Sequence, residues 1–194
     1  IDNNGKLLFK KRYTHLVELH WDERHSLQRQ LYEMVSSYVS KTYDKARRNR
    51  KKNMCLIFLM IIMQRMVTSS TAAVRQSLER RLHVLLEEET RANTMSETDL
   101  DERDIEDGDV DAMEAISLDR TAEIEELKMI ISTAKQAEFQ RHDVKVDALF
   151  DTIDALQSED PVQKIILFTE FVGTQAYLKE LLESRGYSVS ILNG

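Results

Sequence analysis

The chain has 194 residues and a formal net charge of −7, with 42% apolar and 31% charged residues. That is enough apolar material for one large domain or one and a half small ones, and a single proline suits a helix-rich chain. The one cysteine, Cys55, excludes an internal disulfide and any cysteine-rich zinc site, and points to a reducing, intracellular setting.

The first stretch, IDNNGKLLFKKRY, begins at Ile1 and has no resemblance to a signal peptide, so the sequence reads as the interior of a longer intracellular chain. Tyr13, His15, Val17 and Leu19 alternate, which predicts a short strand over 13–19. Leu27, Leu31, Met34 and Tyr38 recur at helical spacing and predict a helix over 23–48. It ends in a basic run of Lys45, Arg47, Arg48, Arg50, Lys51 and Lys52. MCLIFLMIIM, 54–63, is too short for a membrane span, which needs about 20 apolar residues. Gln64 and Arg65 follow at once, so it reads as a buried core helix extending to 67. Ser69, Ser70 and Thr71 offer a break and a new N-cap. Val74, Leu78, Leu82 and Leu85 then mark a third helix, expected to reach 90.

SETDLDERDIEDGDVDAME carries ten acidic residues and one basic one, Arg103, with few apolar anchors. Such a segment cannot offset its ordering entropy by burial, so a mobile linker is expected over 95–116. Its acids do not fall in the spacing of an EF-hand calcium loop. Ile124, Leu127, Ile131 and Ala134 predict a fourth helix, and Val146, Leu149, Phe150, Ile153 and Leu156 a fifth. Pro161 forbids its continuation. KIILFTEF then predicts a buried strand over 164–169, followed by a helix over 173–185 with Gly186 as its C-cap, and a strand over 187–192. Together these make one β-α-β unit with parallel strands and a right-handed crossover.

The usual enzymatic signatures are missing. There is no phosphate-binding G-x-x-x-x-G-K-[ST], no G-x-G-x-x-G, no H-E-x-x-H and no G-x-S-x-G. His15, His20 and His25 recur every five residues, a spacing that makes no shared metal site on a strand-to-turn stretch. Two candidate contact regions remain. Ligands gather outside the carboxyl ends of strands in open α/β sheets, and Thr169, Glu170 and Phe171 stand at one such end, Asn193 and Gly194 at the next. The Thr169 hydroxyl and the amides of the helix starting near Gly173 and Thr174 suit a phosphate, while the plainer alternative has Thr169 capping that helix and Phe171 packing. The six cations between Lys45 and Lys52 exceed what a helix C-terminus needs, which points to a polyanion.

From KIILFTEF to the end, the sequence resembles the start of the second RecA-like lobe of superfamily-two helicases, most closely the Swi/Snf-like ATPases. KVDALFDTI at 145–153 is similar to the helix that leads into that lobe. KIILFTEF is similar to its first strand, K-[VI]-[LI]-[IV]-F-[ST]-x-F. Thr174, Leu178 and Leu182 follow the T-x-x-x-L-x-x-x-L helix, and Leu192, Asn193 and Gly194 the L-[DHN]-G strand end. Upstream, residues 24–38 resemble the E-x-x-L-Y-x-x-[VL]-x-x-Y helix between the lobes, and IMQRMVTSSTAAVRQSLERRL looks like the version in bacterial and archaeal relatives.

The resemblance implies a section of an ATP-dependent DNA helicase or translocase in a prokaryotic cytoplasm. The fold it implies is α/β but helix-dominated: a helical insertion plus the first β-α-β unit of a truncated RecA-like parallel sheet. It divides the chain into an interlobe strand and helical region (1–94), the acidic linker (95–116), helices leading into the lobe (117–160) and the start of that lobe (161–194). Thr169, Phe171, Gly173, Thr174, Asn193 and Gly194, with Arg47, Arg48, Arg50, Lys51 and Lys52, become expected nucleic-acid contacts rather than catalysts. Duplex DNA and a first RecA-like lobe are the implied partners. ATP and Mg2+ belong to the parent enzyme, with no cofactor held by this chain. Glu170 stands where other members often have Gln, so it should turn away from phosphate or meet a neighbouring loop. Two parallel strands alone leave open edges, which predicts self-association. The rival expectation is a helical protein-interaction module without nucleotide chemistry.

Overall fold

The computed structural model describes residues 13–48, 50, 53–94 and 119–192. A 3-10 turn, Glu23–His25, leads into α1 (Ser26–Arg47). Then come α2 (Met54–Val67), α3 (Thr71–Thr94), α4 (Arg120–Gln140), α5 (Val144–Glu159) and α6 (Val172–Ser184). The expected acidic linker, Lys51, Lys52, Asn193 and Gly194 lie outside the described residues.

The helix ends follow the local chemistry. Ser70 begins α3, its hydroxyl accepting from the Ala73 amide at 3.1 Å. Asp143 begins α5, accepting from the amides of Lys145 and Val146. Gly186, at φ 87°, closes α6: its amide donates to the Glu183 carbonyl, and the Tyr187 amide reaches back to that of Leu182. This is the paired termination that a left-handed glycine permits.

Helices α1 to α4 close into a ring. Helix α1 packs on α2 and α4, and α3 packs on the same two. Inside lie Leu31, Val35 and Tyr38 of α1, Leu56, Met60 and Met63 of α2, Val74, Leu78 and Leu85 of α3, and Leu127, Ile130 and Ala134 of α4. The apolar block of α2 is therefore a core helix, as its length implied, with Met54, Phe58 and Ile61 left on its outer side. No helix among the described residues is long and apolar enough to cross a membrane.

One polar group sits within that core. Arg81 of α3 is wholly buried and ion-pairs with Glu123 of α4, while the Tyr38 hydroxyl of α1 donates to the same carboxylate at 2.5 Å. Arg81 Nε lies 2.7 Å from the Tyr38 oxygen. Burial pushes the Tyr38 phenol well above its ordinary pKa, so it stays a donor.

A smaller cluster joins α5 to α6 through Val146, Phe150, Ile153 and Leu182. Arg185 lies over the Phe150 ring at 3.4 Å. His25 fixes this layer to the start of α1: it is buried, with Nδ1 2.8 Å from an Asp22 oxygen and Nε2 3.2 Å from Asp147 of α5.

The expected β-α-β unit is not formed, and no described residue is in a strand. Residues 13–19, 163–169 and 187–192 carry no regular structure, and no backbone hydrogen bond joins the last two segments to each other. Among the described residues the fold is helical, without the parallel sheet of a RecA-like lobe. Both segments keep a partial sidedness, although Ile191, expected to turn inward with Tyr187 and Val189, is 42% exposed. Ile165, Tyr187 and Val189 pack on the α5–α6 cluster, while Ile166 (77% exposed), Phe168 (93%) and Leu192 (92%) face outward. Hydrophobic alternation fixes which side chains turn inward, but a strand also requires a partner for its amides and carbonyls, and that is a property of two segments together. Residues 13–19 fail more simply, because Tyr13, Leu16 and Val17 are all exposed and have no buried face to set a register.

The buried network yields a stability test. Arg81→Met removes the cation facing Glu123 and should cost about 3–5 kcal/mol in urea unfolding, the usual effect of breaking a buried pair. Arg81→Met combined with Glu123→Met should recover most of that loss.

Candidate nucleic-acid interface

The basic run occupies the corner between α1 and α2. Asn53 builds this corner from inside: it is buried, its side-chain amide donates to the Ala46 carbonyl at 3.2 Å, and its own carbonyl accepts from Ile57 in the first turn of α2. One residue thus satisfies the end of α1 and opens α2. Arg47, Arg48 and Arg50 project outward, and none of them forms an ion pair with a described carboxylate.

The second candidate region is a cleft of about 390 Å3 where the end of α2 meets the beginnings of α3, α5 and α6. Thr169, Phe171 and Thr174, expected from sequence to act together, all line it. Thr174 is buried, with its hydroxyl 2.8 Å from that of Ser69 and 2.9 Å from that of Ser70. Since Ser70 already caps α3, the three hydroxyls form a short chain tying α6 to the α2–α3 turn. Gly173 does a different job. A Cβ built there would stand 2.9 Å from Gln76 Oε1 and 3.3 Å from Ala73 Cα, so its bare backbone lets α6 approach α3. Phe171 precedes α6 without a side-chain cap, and Thr169 is half-buried in the wall rather than capping the helix.

Sequence reasoning missed the other half of the cleft. Arg65, in the last turn of α2, and Lys145, in the first turn of α5, supply its cations. Glu170 turns to Arg65, Oε2 to Nη2, at 2.7 Å. Asp143 is buried and accepts from two α5 amides, with Thr71 Oγ1 3.5 Å from its other oxygen. Tyr177 has its phenol pushed above the ordinary value by burial first and by the Asp143, Glu138 and Asp147 carboxylates next, so it can donate a hydrogen bond but not act as a base. Neither Asp143 nor Glu170 is offered to a metal ion, and the described residues contain no group of three acidic, histidine or cysteine ligands. Hydroxyls, a guanidinium and an ammonium are groups that can hold phosphate oxygens. The only advance signal for Arg65 and Lys145 is that each adjoins a helix end, which is too common to single them out.

The two regions lie at opposite ends of α2. Its 14 residues separate them by about 20 Å at 1.5 Å per residue. Compared with known proteins, the chain matches no family model, no curated protein and no solved structure.

The hydroxyl chain can be tested by removing its central member. Thr174→Val keeps the shape and leaves Ser69 and Ser70 without their shared partner. It should lower stability by about 1–3 kcal/mol in urea unfolding, the cost of unmade buried hydrogen bonds.

Proposed function

We propose that this chain is a nucleic-acid-contacting section of an ATP-dependent DNA translocase of the Swi/Snf-like type. In this reading it supplies backbone contacts, while ATP and Mg2+ are bound by a separate RecA-like lobe that belongs to the parent enzyme. The observation that supports it most is the cleft, where the motif residues Thr169, Phe171 and Thr174 share a wall with Arg65 and Lys145. The exposed Arg47, Arg48 and Arg50 add a second cationic region whose charges are open to phosphate. The chain alone is expected to hydrolyse nothing, because its sequence has no phosphate-binding G-K-[ST] loop.

A labelled DNA duplex titrated across a salt series tests this. Arg47→Glu, Arg48→Glu and Arg50→Glu together should weaken binding at least tenfold. The salt slope should fall by about 0.9 for each phosphate that is no longer neutralised. Affinity unchanged by the triple substitution would reduce the basic corner to a solvated helix end. The outward stripe of Met54, Phe58 and Ile61 favours the second reading, a helical protein-interaction module, which stands if the chain binds no DNA.

Self-association belongs to the same proposal; with no strand edges among the described residues to carry it, it would rest on the exposed apolar side chains Ile166, Phe168 and Leu192. Phe168→Lys should shift the chain towards monomer in sedimentation velocity, with its helical circular dichroism intact. An unchanged distribution would remove Phe168 from the assembly.

A further inference from the structure

The geometry points to Glu170 as a built-in competitor for phosphate: its carboxylate occupies the Arg65 guanidinium where a nucleic-acid phosphodiester would sit, and must leave for the cleft to bind. This inference rests on the nucleic-acid reading and concerns how the same cleft is regulated.

Four charged side chains line the cleft. Two are cationic, Arg65 and Lys145, and two are anionic, Asp143 and Glu170, so the formal sum is zero. The two carboxylates are not equivalent. Asp143 is buried and holds the start of α5 through two backbone amides, so it cannot withdraw without uncapping that helix. Glu170 accepts no backbone amide among the described residues and holds Arg65 by one contact between half-exposed side chains. A single-pronged, solvated pair of this kind is weak, so the carboxylate can leave the guanidinium at little cost. A phosphate oxygen makes the same contact that the Glu170 oxygen makes, with comparable geometry.

Glu170 also directly follows Thr169, and both line the cleft with Arg65. A phosphate there meets the Thr169 hydroxyl and the Arg65 guanidinium, with the Glu170 carboxylate already on that guanidinium. Attraction and repulsion then nearly cancel until Glu170 swings into solvent, which its exposure allows. Glutamate at this position therefore sets a threshold that a neutral amide of the same size would lift. The exchange Glu170→Gln keeps the shape and leaves the cleft one unit positive.

The test uses the full 194-residue chain and a fluorescently labelled DNA duplex, with inorganic phosphate as a competing arm, across about 50–200 mM salt, where phosphate contacts dominate affinity. Glu170→Gln should bind duplex about fivefold more tightly, the worth of two unit charges about 4 Å apart in water. Arg65→Gln should weaken binding, and Arg65→Gln combined with Glu170→Gln should show no gain over Arg65→Gln alone. Inorganic phosphate should compete better against Glu170→Gln than against the parent sequence if the site takes a single phosphate group. The proposal is overturned if Glu170→Gln binds like the parent sequence, or if the gain survives removal of Arg65. Both outcomes leave the wider reading intact, because binding itself is still seen. Absence of duplex binding in every variant, with helical circular dichroism retained, would instead overturn the nucleic-acid reading, and this inference with it.

Discussion

The ion pair of Arg81 with Glu123, completed by Tyr38, is the constraint on which the helical ring depends. A guanidinium and a carboxylate withdrawn from water carry a desolvation cost of several kcal/mol each, offset only when geometry and hydrogen bonding are good. Three helices must therefore arrive in one register. If α3 turned by a residue or α1 slid by half a turn, Glu123 would lose the Tyr38 proton or Arg81 would lose its partner. The surrounding Leu, Ile and Met side chains tolerate small shifts far better, because dispersion has no preferred direction. Apolar burial drives the four helices together, and the network selects which of the near-equivalent packings survives.

That selected packing positions the cleft. Fixing α3 against α1 and α4 sets where α3 begins, and Ser70 at that beginning holds Thr174 of α6 through their hydroxyls. Gly173 then allows α6 to lie close against α3. From the other side, Asp143 holds the start of α5 and His25 holds its first turn. The cleft wall is thus made of side chains whose hydrogen bonds are mostly spent on structure. Its remaining charged members are Lys145 and the solvent-exposed pair of Arg65 with Glu170.

Helices are legible in the sequence because each has a buried stripe and an end marked by local chemistry. Val74, Leu78, Leu82 and Leu85 predict α3, with Leu82 partly buried and the other three buried, and Gly186 ends α6 as expected. The strands are not legible in the same way. The run at 164–169 predicts burial on both faces, yet only one face is covered, and Ile166 and Phe168 stand in solvent. Local pattern carries sidedness, whereas pairing depends on what lies alongside. The cleft is half legible for a related reason. Thr169, Phe171 and Thr174 are close in sequence and can be grouped by spacing, but Arg65 reaches Glu170 across 105 residues. Nothing in the periodicity of α2 indicates which residue would face its last turn. The buried Arg81 is also hidden, since an arginine among Glu79, Arg80 and Leu82 reads as part of a solvated face.

Asn53 does more than close a corner. Because it anchors both the end of α1 and the start of α2, the basic turn is fixed to a rigid rod whose other end carries Arg65. Helix α2 then acts as a ruler and a protractor at once. Each residue added to it would move the basic corner and the cleft about 1.5 Å further apart and rotate one relative to the other by about 100°. Charge and composition would barely change, but the direction of one region relative to the other would. The length of α2, more than the number of its neighbouring arginines, sets the distance and the angle between the two regions.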